Sequence, residues 1–477
     1  MDKIQVRIWC DAESLMVKIA RSNIAVSDLS ASANQWHFLM ALLTAIYALA
    51  FVDRQVVNIL AERIKVDLDL TDWQIGALAG PAFALFYVLA GVPLARLAEH
   101  RNRVYLLSGI LTIWSGFTAL SGLAFSFVHL LVARILVGAS EAGCVPCAHS
   151  LISDMTPRSK RATALAVFSM GLPLGSLIGL AAGGFIADHF SWRAAFFIVG
   201  APGLIFAALL YATVADPRAD NARGLARIDR LPPIDDLGSS QPPTDDLRVP
   251  PFRNAMRCLL QTRSFIWMTV AASSLSLAGY GQATFYASFF LRNHAEEISS
   301  FATATHLGGS LAFLGLTLGL AIGITGMIGT ALGGRLGDKC AAASFKGYLR
   351  IPVVATAVGT PLTIAALLVH DAALALMLLA SASLLKSMWY GPVFATIQGL
   401  VGSRSRATAV SVFLTIMNGI GMGLGPLALG ALSDALGAHM GNDAGLRWAM
   451  VITTLPVFFS AFCFWRAERL LPDKSIS

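Results

Sequence analysis

The sequence predicts an all-α integral membrane protein in which twelve transmembrane helices form two pseudo-symmetric bundles of six. Its 477 residues are 56% hydrophobic and only 13% charged, with a mean hydropathy of +0.67. Soluble proteins carry about 25% charged residues, so we expect most of this chain to lie in lipid. Two further observations, a set of apolar runs of spanning length and an internal sequence repeat, specify the arrangement.

Twelve segments are apolar over the roughly 20 residues that a helix needs to cross a bilayer. They fall into two sets of six, separated by one long polar segment, and we call them spans 1–12 in chain order. The first set comprises residues 36–60, 73–97, 104–125, 128–153, 162–187 and 194–214. The second set comprises residues 264–291, 308–336, 349–369, 372–397, 407–434 and 446–467.

Two short stretches occur twice, in the same order and at nearly the same separation. ARLAEH (Ala95–His100) returns as GRLGDK (Gly334–Lys339), 239 residues later. RATALAVF (Arg161–Phe168) returns as RATAVSVF (Arg406–Phe413), 245 residues later, with six of eight positions identical. Each copy lies where an apolar run ends or begins. Two related apolar halves are typical of a duplicated transporter fold.

The basic residues predict the orientation. With the N-terminus inside, 27 of the 35 lysines and arginines fall on the cytoplasmic side, five in outer loops and three within spans. Because basic residues favour cytoplasmic loops, we expect both termini in the cytoplasm and the protein in a bacterial plasma membrane. The net charge of +7 is then an orientation signal suited to anionic lipids, not a nucleic-acid-binding surface. The first 35 residues lack the apolar core of a signal peptide.

Composition divides the chain into five parts. Residues 215–263 are polar and contain seven prolines, which predicts a flexible cytoplasmic linker between the halves. The six cysteines are scattered, so we interpret Cys144 and Cys147 of span 4 as packing residues and expect neither a metal site nor a cofactor. The predicted parts are a cytoplasmic N-terminal arm (1–35), an N-terminal six-helix bundle (36–214), the linker (215–263), a C-terminal six-helix bundle (264–467) and a cytoplasmic tail (468–477).

Five ionisable side chains lie within spans: Asp53 and Arg54 in span 1, Arg134 and Glu141 in span 4, and Lys386 in span 10. Each costs at least about 2.5–3.5 kcal/mol if left at the bilayer centre, so each is expected to face a partner or water. Arg134 and Glu141 are two turns apart on one helix face. A carboxylate beside an arginine can change partners when it takes up a proton, which couples proton movement to conformational change. A structural ion pair between spans 1 and 4 is the alternative.

Lys386, Trp389 and Tyr390 have the i, i+3, i+4 spacing of one helix face. Lys386 either has a structural role, by snorkelling or filling a gap in the core, or offers a cation, beside two aromatic rings, to an anionic and partly apolar substrate. The spacing does not decide between these two interpretations. The five intramembrane charges sum to +1, which favours an anionic group on the substrate.

An acid is retained in both copies of the repeated loop, Glu99 in the first and Asp338 in the second. Both lie at the cytoplasmic end of a span. A carboxylate there is well placed to contact the positive N-terminus of span 5 or span 11 in the opposite half, near Arg161 and Arg406. Such contacts would hold the cytoplasmic side closed and would break when it opens.

At these residues the chain resembles the major facilitator superfamily. The superfamily's loop signature, G-x-x-x-D-R/K-x-G-R/K, matches Gly334, Asp338 and Lys339 in the second half. R-x-x-x-G in span 4 (Arg134 and Gly138) resembles a second signature. In the first half the loop departs from the signature at Ala95, Glu99, His100 and Asn102 and keeps its last basic position as Arg103. The resemblance implies a gating role for Glu99, Arg103, Gly334, Asp338, Lys339, Arg161 and Arg406.

More narrowly, four motifs resemble the spinster-type branch: FVDRQ (51–55), RILVGASEAG (134–143), AHSLISD (148–154) and AGYG (278–281). The resemblance covers nearly all of residues 36–467. It implies proton-linked movement of amphipathic lipids such as lysophospholipids, sphingolipids or their phosphates. It also implies a proton-coupling set of Asp53 and Glu141 with Arg54 and Arg134. Together with the residues around Lys386, we expect a substrate site of Arg54, Arg134, Glu141, Tyr280, Lys386, Trp389 and Tyr390.

Symporters of small organic anions, such as sugar acids, are the alternative. They also carry the D-R of span 1 and the G-x-x-E-A of span 4. ATP-driven transport would need a G-x-x-x-x-G-K-[ST] loop, and the chain contains no Gly-Lys dipeptide. A membrane enzyme would need a motif such as G-x-S-x-G or H-E-x-x-H, and neither occurs. A scaffold would gain nothing from the cost of buried charges.

The sequence therefore predicts a proton-coupled secondary active transporter that works by alternating access, not an enzyme. We expect a monomer that binds a lipid or small-molecule substrate and protons and that contacts membrane lipids.

Overall fold

The computed structural model describes residues 3–156, 160–216, 256, 259, 261–342, 344–401 and 406–472, and all the regular structure in them is helical. The first half contains α1 (Lys3–Asp67), α2 (Asp72–Ala79), α3 (Pro81–His100), α4 (Arg103–Ser121), α5 (Phe127–Glu141), α6 (Cys144–Met155), α7 (Arg161–Ser169), α8 (Gly171–His189) and α9 (Trp192–Thr213). The second half contains α10 (Arg263–Asn293), α11 (Ala295–Ala304), α12 (Ser310–Leu318), a π-helix (Gly319–Ile324), α13 (Thr325–Ala341), a 3-10 helix (Phe345–Leu349), α14 (Arg350–Leu368), α15 (Ala372–Lys386), α16 (Tyr390–Gly399), α17 (Arg406–Met440) and α18 (Asn442–Leu470).

Eleven helical stretches in these residues are long and apolar enough to cross a membrane, and they coincide with eleven of the twelve predicted spans. The remaining one, span 7, is α10. Its 31 residues are long enough to cross, but it carries buried polar side chains, among them Ser273, Gln282 and Thr284. The predicted all-α membrane fold is confirmed, with α10 as its twelfth long helix.

Short polar side chains determine where several spans begin. Asn102, before α4, accepts hydrogen bonds from the amides of Val104 and Tyr105, both at 3.0 Å. Ser191, before α9, and Asp371, before α15, accept the amide three residues further on at 3.0 and 2.7 Å. The first amides of a helix have no partner within it, so these caps stabilise the starts of the helices.

Several spans are not single helices. Span 2 is interrupted at Gly80, span 4 at Gly143, span 8 by the π-helix and span 10 after Lys386. Two of the interruptions directly follow ionisable residues, because α5 ends at Glu141 and α15 ends at Lys386. Irregular backbone at membrane depth is tolerated where it is buried in protein or lines a cavity, so these two positions are candidates for a functional site.

The two halves pack closely near one face of the protein. We call the face where α1 ends at Asp67 the outer face, and the face where α3 ends at His100 the inner face. A β-carbon on Gly76 of α2 would lie 2.2 Å from the carbonyl oxygen of Pro426 in α17, and one on Gly184 of α8 would lie 2.1 Å from that of Leu311 in α12. Helices α2 and α17, like α8 and α12, therefore pack backbone against backbone.

Parts of the predicted organisation fall outside the described residues. They are most of the linker (217–255), the end of the tail (473–477) and the short stretches 157–159 and 402–405 before the two copies of the RATA repeat.

Candidate functional site

The intramembrane charges of the first half form two separate ion pairs between spans 1 and 4. In the first pair, Arg134 Nη1 donates to Asp53 Oδ2 at 2.9 Å, and the Thr118 hydroxyl donates to Asp53 Oδ1 at 2.7 Å. Asp53 and Arg134 are 1% and 3% exposed. Both oxygens of the Asp53 carboxylate are thus bonded, as a buried anion requires.

The second pair joins Arg54 Nη2 to Glu141 Oε1. Within the described part of the chain, Glu141 Oε2 is buried without a hydrogen-bond partner. The guanidinium carbon of Arg54 lies 4.6 Å from the ring centre of Phe83, 4.9 Å from that of Phe51 and 5.2 Å from that of Tyr87. This cation is therefore held between one acid and three aromatic faces.

The two acids differ in how a proton could reach them. A proton on Glu141 has an unoccupied oxygen available and removes the charge that holds Arg54. A proton on Asp53 would bind to an oxygen that already accepts a hydrogen bond from Thr118 or Arg134. Arg54 Nη1 also lies 4.0 Å from Met422 Sδ in α17, so a change at Glu141 reaches a contact between the two halves.

Lys386 is bonded to an uncharged polar group of the second half. Its ammonium nitrogen lies 3.2 Å from Gln282 Oε1 in α10, and the Tyr286 hydroxyl donates to the same oxygen at 2.9 Å. Gln282 Nε2 donates to the Thr454 hydroxyl of α18 at 2.5 Å. The sequence analysis missed Gln282 and Thr454, both completely buried. The signal that could have found Gln282 is an amide side chain inside an apolar span.

The aromatic residues predicted for the substrate site differ in their surroundings. Trp389 is 4% exposed in the apolar core of the second half, whereas Tyr390 is 39% exposed and stacks on it with ring centres 4.1 Å apart. The Tyr280 hydroxyl of α10 donates to Asn418 Oδ1 of α17 at 3.5 Å. An interruption lies within the predicted face of Lys386, Trp389 and Tyr390, because α15 ends at Lys386 and α16 begins at Tyr390.

A network that the sequence analysis did not predict joins the halves at the outer face. Arg292 of α10 binds Glu62 of α1 at 2.7 Å and Asp72 of α2 at 2.8 Å. Lys65 and the Ser433 hydroxyl each lie 2.7 Å from an oxygen of Asp72. Asp72, which is 2% exposed, is therefore the centre of a cluster that both halves share.

Two more carboxylates hold helix N-termini at the outer face. Asp434 of α17 accepts the backbone amides of Asp72 and Trp73 at 2.9 and 2.8 Å. Asp188 of α8 accepts the amide of Ala312 at 2.8 Å. In both cases the carboxylate and the helix belong to opposite halves, so these contacts close the outer face.

Two of the predicted gating residues at the inner face, Asp338 and Arg161, bond within their own halves. Asp338 accepts a hydrogen bond from the Tyr348 hydroxyl at 2.9 Å. Arg161 Nε donates to the Thr156 carbonyl at 3.1 Å. Neither carboxylate–arginine pairing expected across the halves, Asp338 with Arg161 or Glu99 with Arg406, occurs among the described residues. Glu99 is exposed near the end of α3, and Gly334 and Lys339 lie on α13.

Arg103, also predicted for gating, lies fully buried inside the first half. Its guanidinium binds Asp216 at 2.5 Å, Asp154 at 2.6 Å and the Ser150 hydroxyl at 2.8 Å. These contacts tie α4 and α6 to the residue at which the predicted linker leaves the bundle.

A cavity lies between the halves, bounded by spans 1, 5, 7 and 8. Its polar lining is Gln55, Asn58, Ser176 and Tyr286, and its apolar lining is Leu180, Ala283, Ala287, Leu318, Ile322 and Gly323. Ile322 and Gly323 belong to the π-helix, a distortion that is frequent at functional sites. Tyr286 connects this wall to Gln282 and Lys386. In the described residues no group of three or more His, Cys, Asp or Glu side chains is placed to hold a metal ion.

Known proteins with similar sequences and structures are membrane transporters. The profile of the Major Facilitator Superfamily matches residues 43–426. The chain is 31% identical over 429 residues to an MFS-type efflux pump of Mycolicibacterium smegmatis, over 90% of this chain and 92% of that relative. It is 31% identical over 169 residues to the hexuronate transporter of Bacillus subtilis, over 35% of this chain and 39% of that relative.

Among solved structures, a bacterial homologue of the human lysosomal transporter spinster, in an inward-facing and unoccupied conformation, matches with a TM-score of 0.78 at 28% identity. The match covers 93% of this chain and 99% of that one. The chain therefore belongs to the Major Facilitator Superfamily, whose members are multi-pass membrane transporters. The resemblance to the spinster-type branch that its motifs indicated is confirmed.

Proposed function

We propose that this protein is a proton-coupled secondary active transporter that moves amphipathic, lipid-like substrates of the lysophospholipid or sphingolipid type by alternating access. The observation that carries the proposal is the pair of Glu141 and Arg54 at the interruption of span 4. It combines a buried acid that has one unoccupied oxygen with a cation that contacts the opposite half.

The coupling step follows from the charges. While Glu141 is ionised, its carboxylate neutralises Arg54, and separating the two would leave an uncompensated buried charge, which costs about 3–5 kcal/mol. A proton on Glu141 removes that cost and makes Arg54 available to an anionic group of the substrate. Asp53 and Arg134 form the second part of the coupling set and hold spans 1, 3 and 4 together.

The lipid-like substrate is supported by the surroundings of Arg54. A head group at Arg54 would lie beside Phe51, Phe83 and Tyr87, which suit an amphipathic molecule better than a small hydrophilic one. We assign the substrate site to Arg54, Arg134, Glu141, Tyr280, Lys386, Trp389 and Tyr390. The likeness to a bacterial spinster homologue supports the same assignment.

Transport of small organic anions is the second candidate, and the polar part of the cavity favours it. Gln55, Asn58 and Ser176 could bind the hydroxyl groups of a sugar acid. The similarity to a hexuronate transporter supports this candidate over about a third of the chain.

The remaining features of the proposal concern placement and gating. We place both termini in the cytoplasm and the protein, as a monomer, in a bacterial plasma membrane, with the five chain parts at the boundaries predicted above. Glu99, Arg103, Gly334, Asp338, Lys339, Arg161 and Arg406 control the inner face. No chemical conversion of the substrate is expected.

Flux into proteoliposomes tests the function directly. With an imposed pH gradient, we expect saturable movement of a lysophospholipid by the wild-type protein, and we expect it to stop when a protonophore collapses the gradient. Mass spectrometry of the recovered lipid tests the absence of conversion. Flux that is unaffected by the pH gradient would show that transport is not coupled to protons. Uptake of D-glucuronate without competition from any lysolipid would show that the substrate is a small organic anion instead of a lipid.

A further inference from the structure

Glu141 and Lys386 occupy equivalent positions in the two halves. They are 245 residues apart, the same separation as the two copies of the RATA repeat that begin at Arg161 and Arg406. Each is the last residue of the first helix in an interrupted span, Glu141 in α5 and Lys386 in α15. The internal duplication has therefore placed an acid at one of these interruptions and a base at the other.

Their partners are also equivalent in position. Glu141 binds Arg54 of span 1, and Lys386 binds Gln282 of span 7. Gln282 follows Arg54 by 228 residues, which is also the separation between the predicted starts of spans 1 and 7. The first half thus holds an acid with a base, whereas the second half holds a base with a neutral amide.

The ammonium group of Lys386 consequently lacks a counter-charge. In the described part of the chain its hydrogen bond goes to Gln282 Oε1, and no carboxylate forms an ion pair with it. The amide of Gln282 cannot turn away, because its nitrogen donates to Thr454 and its oxygen accepts from Tyr286. An amide oxygen solvates a buried cation only in part, whereas an anion would neutralise it.

Lys386 is linked to the wall of the cavity between the halves through Gln282 and Tyr286. Tyr286, bonded to the same Gln282 oxygen, forms part of the wall of the cavity between the halves. Gly359 of α14 lies beside the Lys386 stem, where a β-carbon would approach its Cγ to 3.2 Å. The lysine stem therefore passes a residue without a side chain, and its ammonium group shares the Gln282 oxygen with Tyr286, a residue of the cavity wall.

We propose that Lys386 binds one anionic group of the substrate, a carboxylate or a phosphate, in place of Gln282, and so selects anionic substrates over neutral analogues. The inference rests on the proposed transport function and specifies what the second half recognises. Both the head group of a lysolipid and a free sugar acid carry such an anionic group. The test therefore compares an anionic probe with a neutral analogue for each of the two classes.

The test is equilibrium binding to the full-length protein in nanodiscs at one fixed pH, without any gradient. The lipid pair is palmitoyl lysophosphatidic acid against monopalmitoylglycerol, and the soluble pair is D-glucuronate against D-glucose. For the pair that the protein recognises, we expect the wild type to bind the anionic member at least about tenfold more tightly, as a charge-assisted hydrogen bond provides. Because Arg54 also contributes to binding an anionic group, Lys386→Met should lower this preference by about tenfold rather than abolish it. Lys386→Arg should retain most of the preference, and Lys346→Met, the same change at the inner face, should leave it unchanged.

The outcomes separate this inference from proton coupling, because binding is measured without a gradient. Lys386→Met that keeps the wild-type preference overturns the assignment, as does a wild-type protein that prefers the anionic member of neither pair. If Lys386→Met is poorly folded, Gln282→Leu provides an independent variant. It removes the amide that competes for the ammonium, so we expect anionic probes to bind as tightly as to the wild type or more tightly, and a loss of the preference would contradict the proposal.

Discussion

Asp188 and Asp434 occupy equivalent positions near the outer ends of spans 5 and 11, and each accepts hydrogen bonds from the first amides of a helix in the opposite half. The sequence suggested contacts of this kind between an acid and a helix N-terminus at the inner face, through Glu99 and Asp338. The structure has them at the outer face. Because a helix N-terminus carries a partial positive charge, both acids stabilise the outer-closed arrangement.

Asp188→Asn and Asp434→Asn should each open the outer face more often. A neutral amide stabilises a helix N-terminus less than a carboxylate does, by about 0.3–1 kcal/mol, so the outer-open population should rise by about two- to fivefold. The measurement is labelling of a cysteine at Ala283, in the cavity wall, by a membrane-impermeant thiol reagent, with the native cysteines replaced. Asp69→Asn, at an exposed outer loop, is the matched control. Equal labelling of all variants would mean that the two acids do not hold the outer face closed.

Asp338→Asn should act in the opposite direction, by opening the inner face. Its carboxylate accepts a bond from Tyr348 in this outer-closed arrangement, so it is available to a helix of the first half only after the inner face closes. We expect labelling of a cysteine in the inner part of the cavity to rise by about two- to fivefold. Tyr348→Phe tests the local bond alone and should not reproduce the effect. Matching results for the two variants would show that Asp338 acts only inside its own half.

Glu141→Gln and Asp53→Asn should both abolish proton-driven flux but should differ in thermal stability. Each swap keeps the shape of the side chain and removes the titrating charge. Asp53→Asn leaves Arg134 buried without a counter-charge, a loss of about 3–5 kcal/mol, whereas Glu141→Gln leaves Arg54 against three aromatic rings. The measurements are flux under an imposed pH gradient and the melting temperature, with Glu296→Gln as the control. A carboxamide variant that transports normally would show that its carboxylate is structural.

Arg54→Met should weaken the binding of every member of a lysolipid series by a similar factor. Affinity from water should rise with acyl chain length, by at most about 0.8 kcal/mol per CH₂, and the slope should be the same in the variant because the tail does not contact Arg54. Arg350→Met, at an exposed inner position, is the control. If the affinity of the wild-type protein does not change with acyl chain length, the result would indicate a small hydrophilic substrate.

Arg103→Met should destabilise the first half without changing the substrate preference. It removes the counter-charge of Asp216, which is 2% exposed, so we expect the free energy of unfolding to fall by about 3–5 kcal/mol. Asp216→Asn in the same chain should restore part of the loss because it removes the buried negative charge that Arg103 neutralises in the wild type. Chemical denaturation measures both variants, with the exposed Arg101→Met as the control. If Arg103→Met unfolds like the wild type, the cluster does not stabilise the first half.

The sequence was sufficient to find the charges of the candidate site but not to pair them. Asp53, Arg54, Arg134 and Glu141 stand out because a charge within an apolar run is costly, and the seven-residue spacing in α5 places two of them on one face. Which acid meets which arginine depends on how spans 1 and 4 are rotated about their axes. Spacing within one helix contains no information on that rotation.

The sequence pattern could not predict the helix interruptions or the ion-pair network around Arg292 at the outer face, for two different reasons. Span 10 contains no glycine or proline at the end of α15, and Gly391 and Pro392, the nearest residues that commonly end helices, come after the interruption rather than at it. Arg292 and Glu62 are charged residues near the ends of spans, where charges are common, so neither stands out. Their contact joins positions 230 residues apart, and only the packing of the two halves brings them together.

Glu141 at the end of α5 and Lys386 at the end of α15 carry opposite charges. A transporter assembled from two identical halves could not contain both. A homodimer of the first half would contain two Glu141 carboxylates and two Arg54 guanidinium groups but no counterpart of Lys386. A homodimer of the second half would contain two ammonium groups and no acid at these positions. The duplicated backbone has therefore kept its two-fold geometry while its side chains have diverged into two unlike parts, and a single chain is the smallest unit in which acid and base each occur once.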